Sequence, residues 1–342
     1  MGGNGDSPAG SELVPVGSQG SYLFAGQRIG KYEIEGPIST AGYVKVVYRA
    51  HHPFLADAAD TTTVAIKVFR LPEDISNPRT RANLGALGGD IETILRREFN
   101  AANPLSHKNL ARFLDYGAFP YPSEQDQNRH LYYLVEEYIS GKPLSEMAPF
   151  NGQDVDWTPQ YFSDVAYVMS RVVRGLAHLH QRNMAHLDIK PANVIVENPE
   201  HPREGRVVVT DFTHASKIFG HQLHLQGSRL YDAPEECGET PRHGTKADIW
   251  ALGVMSYQAL TGKYPFETSQ PNWVGLSESE RAAQEEELVR NILTQQPELP
   301  HNYVSRVPRP LEELCLAMLS KTDSSRPRSK DVARKLLRFA SR

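Results

Sequence analysis

Short apolar runs dominate the first part of the chain. The runs within 32–48, 64–69 and 131–139 are rich in β-branched and aromatic residues, which is typical of strands. Apolar residues within 91–99 recur at helical spacing instead, which predicts one helix between the second and third of these runs. The pattern therefore predicts a β-rich region with a single helix before residue 140.

Helical periodicity dominates the rest of the chain. Apolar residues within 165–179 form one stripe, which predicts a long amphipathic helix. The run 248–260 is apolar on all sides, as in a buried helix, and Gly262 follows it as a C-terminal cap. A further helix is predicted around 287–293, after an acidic and polar segment. The chain is therefore predicted to consist of a β-rich part followed by a mainly helical part.

Composition limits the class of protein. The 342 residues suffice for about two domains or lobes, and a net charge of −4 argues against nucleic acid as the main partner. Residues 1–22 are rich in Gly, Ser and Pro and are predicted to be a disordered tail. The chain shows no signal-peptide pattern and no apolar run that could span a bilayer, so we expect no membrane insertion. Its two cysteines fit a reducing compartment, and we expect a cytoplasmic protein.

The segment 186–193, with the sequence HLDIKPAN, carries the candidate chemistry. The carboxylate of Asp188 can accept a proton, the ammonium of Lys190 can neutralise a phosphoryl group in transfer, and the carboxamide of Asn193 can hold a divalent metal. The segment resembles the catalytic loop of protein kinases, HRDxKxxN, with Leu187 where the family usually has Arg.

Other segments resemble kinase motifs and keep the order of that family. In chain order they are a degenerate Gly-rich loop at 40–47, VAIK at 64–67, LVEEYI at 134–139, DFT in place of DFG at 211–213, APE at 233–235, DIWALG at 248–253 and an RP turn at 326–327. Because chance matches do not keep order, the chain resembles eukaryotic-like Ser/Thr protein kinases over about residues 31–341.

The resemblance implies an α+β, bilobal protein-kinase-like fold. A small β-rich N-lobe with helix αC and the hinge would occupy residues 31–139, and a larger, mainly helical C-lobe would occupy residues 140–342, with ATP in the cleft. The resemblance also implies a protein substrate. Further domains in a longer parent protein are compatible with it.

The same resemblance assigns roles to the polar residues. Asp188 would position and deprotonate a substrate hydroxyl, and Lys190 would balance charge on the transferred phosphoryl group. Asn193 and Asp211 would hold Mg²⁺, with Mn²⁺ as the alternative metal.

The resemblance also implies an ATP site. Lys67 would orient the phosphates while Glu98, which lies at the family's spacing before a histidine-containing turn, holds it in place. Gly42 would let the backbone approach the phosphates. Val47, Ala65 and Ile195 would sandwich the adenine ring. The backbones of Glu137 and Ile139 would face the adenine edge.

Two ion-pair predictions follow from the order of the motifs. Glu136 takes the gatekeeper position, which normally borders an apolar pocket, and a buried carboxylate needs a partner. We therefore predict that Glu136 is hydrogen-bonded or ion-paired. Arg326 is predicted to pair with Glu235.

Departures from the family pattern leave a second interpretation open. Thr40 and Lys45 occupy two of the three glycine positions of the phosphate loop, and Thr213 replaces the glycine of DFG. The chain could thus be a pseudokinase that binds ATP as a scaffold. We favour a Ser/Thr kinase because each residue type that contacts metal, phosphate or nucleophile is present. A small-molecule phosphotransferase is disfavoured because the APE and DxWxxG segments serve peptide docking.

Leu187 leads to one further prediction. It cannot make the contact that Arg makes with a phosphorylated activation segment in the family, so we predict activity that does not require phosphorylation there.

Overall fold

The computed structural model describes residues 13–15, 22–39, 45–52, 63–69, 96, 99–100, 103–120, 130–211, 229–238, 241–269 and 276–341. The chain divides into two compact units. The first comprises Met1–Asn103 and Arg112–Tyr138, and the second comprises Pro104–Ala111 and Ile139–Arg342.

Antiparallel strands make up most of the described part of the first unit. They are β1 (Leu13–Pro15), β2 (Tyr22–Phe24), β3 (Arg28–Ile29), β4 (Tyr32–Ser39), β5 (Lys45–His51), β6 (Thr63–Phe69), β7 (Phe113–Pro120) and β8 (His130–Glu137). Strands β1 and β2 pair with each other, and the other six form one sheet in the order β3-β4-β5-β6-β8-β7.

Alternation along β5, β6 and β8 gives this sheet two different faces. One face packs in the hydrophobic core through Val46, Tyr48, Ile66, Val68, Tyr133 and Val135. On the other face, Val47 lies opposite Lys67, and Ala65 lies opposite Glu136. Directly opposed residues of antiparallel strands point to the same side, so these four side chains share one face.

Helices make up most of the regular secondary structure described in the second unit. Those that the structure describes are α1 (Pro159–His180), α2 (Thr245–Thr261), α3 (Glu278–Thr294), α4 (Pro300–Tyr303), α5 (Arg309–Met318) and α6 (Ser329–Ala340). A small antiparallel sheet, in the order β11-β10-β9, is formed by β9 (Lys142–Pro143), β10 (Val194–Val196) and β11 (Val207–Val209). Single 3₁₀ turns lie at Leu144–Glu146, Pro191–Asn193, Arg229–Tyr231, Pro234–Glu236 and Asp323–Ser325.

Capping residues set the ends of the two long helices near the catalytic segment, and the sequence predicts one of these ends, the cap of α2 at Gly262. The hydroxyl of Thr158 accepts a hydrogen bond from the Tyr161 N–H at 3.1 Å, and Pro159 starts the first turn of α1. Helix α2 is buried around its whole circumference, and Gly262, with φ 72°, ends it in the left-handed conformation that glycine favours.

Helix α3 corrects one prediction. It begins at Glu278 rather than near residue 287, so the predicted N-terminal bound was wrong. The Ser277 hydroxyl accepts a hydrogen bond from the Glu280 N–H at 3.3 Å, and the Glu280 carboxylate accepts one from the Ser277 N–H at 2.8 Å. This capping box starts the helix inside the acidic segment.

The β-rich first unit and the mainly helical second unit confirm the predicted α+β class. Within the helix predicted over 91–99, the structure describes Arg96 and Phe99, both helical. Across the described ranges, no helix combines the length and apolarity that crossing a membrane requires.

Candidate active site

Asp188 lies at the centre of a hydrogen-bond network within its own loop, residues 186–193, the catalytic loop. The Lys190 Nζ lies 2.9 Å from Asp188 Oδ1. The Asn193 Nδ2 donates to Asp188 Oδ2 at 2.9 Å and to the Asp188 carbonyl oxygen at 2.7 Å. The Asp188 and Lys190 side chains are 11% and 29% exposed, so a ligand can reach both. The structure thus brings together three residues that the sequence predicts to act together.

The carboxylate of Asp248 on α2 fixes the backbone of this loop. Its Oδ1 accepts a hydrogen bond from the Leu187 N–H, and its Oδ2 accepts one from the His186 N–H, each at 2.8 Å. The His180 ring, at the end of α1, lies 2.8 Å from the same Oδ2. Leu187 has φ 64°, a conformation that costs a residue other than glycine about 1 kcal/mol. The charge-assisted bonds to Asp248 offset this cost.

Thr210 connects the catalytic loop to the predicted metal ligand Asp211. The Thr210 N–H donates to the Asn193 carbonyl oxygen at 2.9 Å, and the His186 Nε2 lies 3.1 Å from the Thr210 carbonyl oxygen. Asp211 follows directly and has φ 69°. The hairpin of β10 and β11 therefore places Asp211 just beyond the end of β11.

The donor set in this unit fits a divalent metal that is bound together with phosphate. Both N–H groups of the Asn193 carboxamide are used by Asp188, which leaves its Oδ1 as the atom for a cation. Mg²⁺ prefers oxygen ligands and usually takes one or two carboxylates plus substrate phosphates. In the ranges that the structure describes, no group of three or more His, Cys, Asp or Glu side chains could hold a metal ion. A metal at Asn193 and Asp211 would complete its coordination with oxygens of phosphate or water.

Lys67 and Glu136 form a buried ion pair in the first unit. The Lys67 Nζ contacts Glu136 Oε1, and the two side chains are 6% and 2% exposed. The prediction that Glu136 is ion-paired is confirmed. Because Ala65 lies opposite Glu136, Lys67 is its diagonal neighbour across the two strands, within reach of a long side chain. The β6–β8 register is the signal that identifies Lys67 as the partner, which sequence reasoning did not name.

The remaining described positions of the predicted ATP site lie on strands or next to them. The Glu137 N–H donates to the Arg112 carbonyl oxygen at 2.8 Å, so it does not serve an adenine. Ile139 is buried. Ile195 is half-buried in β10, opposite Val208.

Several predicted positions lie outside the described residues. These are Gly42 and Thr40 of the phosphate loop, Glu98, and Phe212 and Thr213 after Asp211. Their roles, including the pairing of Glu98 with Lys67, stay predictions.

The predicted pair of Arg326 and Glu235 is confirmed. The guanidinium of Arg326 donates two parallel hydrogen bonds to the Glu235 carboxylate, at 2.6 and 2.7 Å, and its side chain is fully buried. It also donates to the Lys246 carbonyl oxygen at 2.9 Å. One arginine thus joins the APE turn to the first turn of α2.

Asp232 is a residue near the catalytic loop that sequence reasoning missed. Burial and then the neighbouring Glu236 raise the pKa of Asp232 to about 7, and the charge of Asp188 adds to the shift. The carboxylates of Asp232 and Asp188 are therefore electrostatically coupled. No sequence pattern marks this position, because the effect arises from packing around the APE turn.

The geometry agrees with a comparison against protein families. The family model that is described as protein kinase domain matches residues 42–337 of the chain. The chain therefore belongs to the protein kinase family, which confirms the predicted family and fold class. Members of this family use ATP together with a divalent metal ion.

Similar curated proteins are named serine/threonine-protein kinases. PrkC of Bacillus subtilis is 31% identical over 253 residues, which cover 72% of this chain and 33% of PrkC. GRIK1 of Arabidopsis thaliana is 31% identical over 244 residues, which cover 70% of this chain and 53% of GRIK1. Human ULK1 is 29% identical over 186 residues, which cover 53% of this chain and 16% of ULK1. The chain thus matches about a third of the length of PrkC.

Proposed function

We propose that the chain is a Ser/Thr protein kinase that transfers the γ-phosphoryl group of ATP to a protein hydroxyl. The observation that carries the proposal is the catalytic loop, where Asp188 contacts both Lys190 and Asn193 while Asp248 fixes the backbone. Such a loop presents a carboxylate to a hydroxyl and an ammonium to a phosphoryl group.

In this proposal, each of four polar residues of the second unit has its own task. Asp188 orients the substrate hydroxyl and accepts its proton. Lys190 neutralises charge that develops on the phosphoryl oxygens. Asn193 and Asp211 would hold Mg²⁺, with Mn²⁺ as the alternative, and such an ion would supply positive charge for the phosphates.

Most of the residues assigned to ATP lie in the first unit. Lys67 orients the phosphates, with Glu98 as a second partner besides Glu136, and Gly42 allows the backbone to approach them. Val47, Ala65 and Ile195 are the residues that we assign to the adenine ring. The backbones of Glu137 and Ile139 complete the site, with Glu137 acting through its carbonyl oxygen.

The proposal also covers the boundaries of the two lobes and the class of substrate. The N-lobe and hinge comprise residues 31–139, and the C-lobe comprises residues 140–342. The substrate is a protein and not a nucleic acid. Ser and Thr are preferred over Tyr because Lys190 stands two residues after Asp188, as in Ser/Thr kinases.

The test is phosphate transfer from ATP and Mg²⁺ to casein or myelin basic protein. We expect Asp188→Asn to lower the rate by at least about 100-fold, since it removes the base. The matched control is Asp154→Asn, the same chemical change at an exposed position, which should leave the rate within about twofold. Full turnover in Asp188→Asn would refute the proposal.

The same assay separates the two other functions. ATP binding by the wild type without transfer to any acceptor would identify a pseudokinase scaffold, as the replaced glycines suggest. Transfer to metabolites but not to proteins would identify a small-molecule phosphotransferase.

A further inference from the structure

A groove with basic walls, of about 710 Å³, lies between α1 and α6. Lys330, Arg334 and Arg338 line it from α6, and Arg174 lines it from α1. The three residues on α6 repeat every four positions, so they lie on one face of the helix in a row about 12 Å long. We call this site the basic groove.

The charges of the basic groove are largely unneutralised. No Asp or Glu is among the described residues that line it. Within the described part of the chain, Arg174, Lys330 and Arg338 make no ion pair and no side-chain hydrogen bond, whereas Arg334 pairs with Asp331 at the edge. Four cations that face one cavity repel each other, and an anion there would relieve the repulsion.

A histidine in the wall adds an unsatisfied polar atom. His178 lines the basic groove, and its Nε2 is shielded from solvent with no hydrogen-bond partner among the described residues. Its ring packs on His107 with the centroids 5.1 Å apart. Burial, followed by His178 and Arg174, lowers the pKa of His107 to about 4, which agrees with a positive local potential. Buried polar atoms normally have partners, so this one points to a ligand oxygen.

The lining between the charges is apolar and mostly small. Ala177 of α1 and Ala333 of α6 are buried there, and Leu337 is half-buried beside them. Small side chains let another backbone approach closely. Burying this apolar surface against apolar groups of a ligand would lower the free energy of binding. A free phosphate or a nucleic-acid backbone would gain nothing from this surface. A peptide with both carboxylates and small apolar groups would use all of it.

We propose that the basic groove binds an acidic amphipathic helix of a partner protein, with Glu or Asp repeated every four residues along one face. A helix advances about 6 Å in four residues, so its row of carboxylates has the same spacing as the cations on α6. This interaction goes beyond the proposed kinase activity and does not depend on it.

The probe is a fluorescein-labelled helical peptide of about 20 residues, with three Glu at spacing four and Ala beside them. Its binding to the full chain is measured by fluorescence anisotropy at about 0.15 M ionic strength. We expect Lys330→Glu with Arg338→Glu to raise Kd at least tenfold. The matched control, Arg328→Glu with Lys335→Glu, makes the same charge change at exposed positions of the same helix region outside the groove, and should raise Kd less than twofold.

Two further comparisons test the geometry. His178→Phe keeps a ring against His107 but removes the donor, and should raise Kd about threefold. A peptide of identical composition with its glutamates spread around the helix should bind at least fivefold more weakly. Circular dichroism confirms that each variant is folded.

The proposal is overturned if the wild type does not bind the peptide or if both charge-reversed pairs lose affinity equally. Equal binding of the rearranged peptide also overturns it. So does tighter groove-dependent binding of tripolyphosphate or of an RNA oligonucleotide than of the peptide, because the site would then serve phosphates. None of these results depends on phosphate transfer, so they leave the kinase proposal untouched.

Discussion

Asp188 in the second unit and Lys67 in the first are both charged groups that the kinase resemblance singles out, yet they are held in different ways. Asp188 contacts Asn193, five residues away along the chain, whereas Lys67 contacts Glu136, 69 residues away. Local hydrogen bonds fix the first, and the register of two strands fixes the second. A short motif can therefore identify a whole catalytic loop but only half of a cross-strand pair.

The two ion pairs also differ in their exposure to water. The Lys190 side chain beside Asp188 is 29% exposed, whereas Lys67 and Glu136 are 6% and 2% exposed. Water screens the first pair, but the second has lost its hydration and depends on its partner. The same change of Lys to a neutral residue should thus have very different effects in the two units.

We expect the largest effect from Lys67→Met. It leaves the Glu136 carboxylate buried without its described partner, which should lower the free energy of unfolding by about 3 kcal/mol or more. Lys190→Met is the matched control and should cost less than about 1 kcal/mol, because solvent reaches that pair. Urea denaturation measures both.

A double variant separates loss of charge from loss of pairing. Lys67→Met with Glu136→Leu removes both charges, so it should regain most of the stability lost in the single variant. Equal costs for Lys67→Met and Lys190→Met would contradict the contrast between the two units.

Asp248→Asn should have the next largest effect. The carboxylate accepts three hydrogen bonds, and a carboxamide places an N–H group against one of these donors. We expect the free energy of unfolding to fall by about 2 kcal/mol. The rate of phosphate transfer should fall as well. Asp164→Asn, on the surface beside Arg203, should cost less than about 0.5 kcal/mol. A stable Asp248→Asn variant with full turnover would show that the loop does not need this anchor.

Asp232→Asn should have a smaller effect that depends on pH. The ordinary pKa of the carboxyl is 3.8, and in the folded chain it is raised to about 7, so the folded state retains the proton over this range while the unfolded state has lost it. Stability of the wild type therefore falls as pH rises from about 4 to about 7. The variant lacks this loss. At pH 8 the variant should be about 2 kcal/mol more stable than the wild type, which is less than the full pKa shift would give because solvent screens the charge. Near pH 4 the two proteins should be equally stable.

Thermal unfolding at several pH values checks this prediction. The difference in stability between Asp232→Asn and the wild type should grow with pH, while that of Asp154→Asn should stay flat. A gain of the same size at pH 4 and pH 8 would show that Asp232 is not the titrating group.

The smallest expected effect is that of phosphatase treatment. Because Leu187 cannot contact a phosphorylated activation segment, phosphate transfer should be equal, within about twofold, before and after complete dephosphorylation. Mass spectrometry verifies that the phosphate is gone. Abolished activity would show that another residue performs the task of the missing arginine.

What could be predicted from the sequence depends on how far apart the interacting groups lie. Strands β5, β6 and β8 and helices α1 and α2 follow from local patterns, and the grouping of Asp188 with Lys190 and Asn193 follows from a short motif. The pair of Arg326 and Glu235 followed from family resemblance, since no local rule links residues 91 positions apart.

Other features had no signal in the sequence. Which group pairs with Glu136 depends on the β6–β8 register, and the raised pKa of Asp232 depends on packing around it. The left-handed backbone at Leu187 is also invisible in the sequence, since a residue other than Gly or Asn rarely adopts it.

The anchoring of His186 and Leu187 by a single carboxylate has a consequence for hydrogen exchange. Their two amide protons can exchange with deuterium only when the loop separates from α2, because both are bonded to Asp248. Protection of these two amides thus measures how often the loop is correctly assembled, and it does so without nucleotide, substrate or turnover.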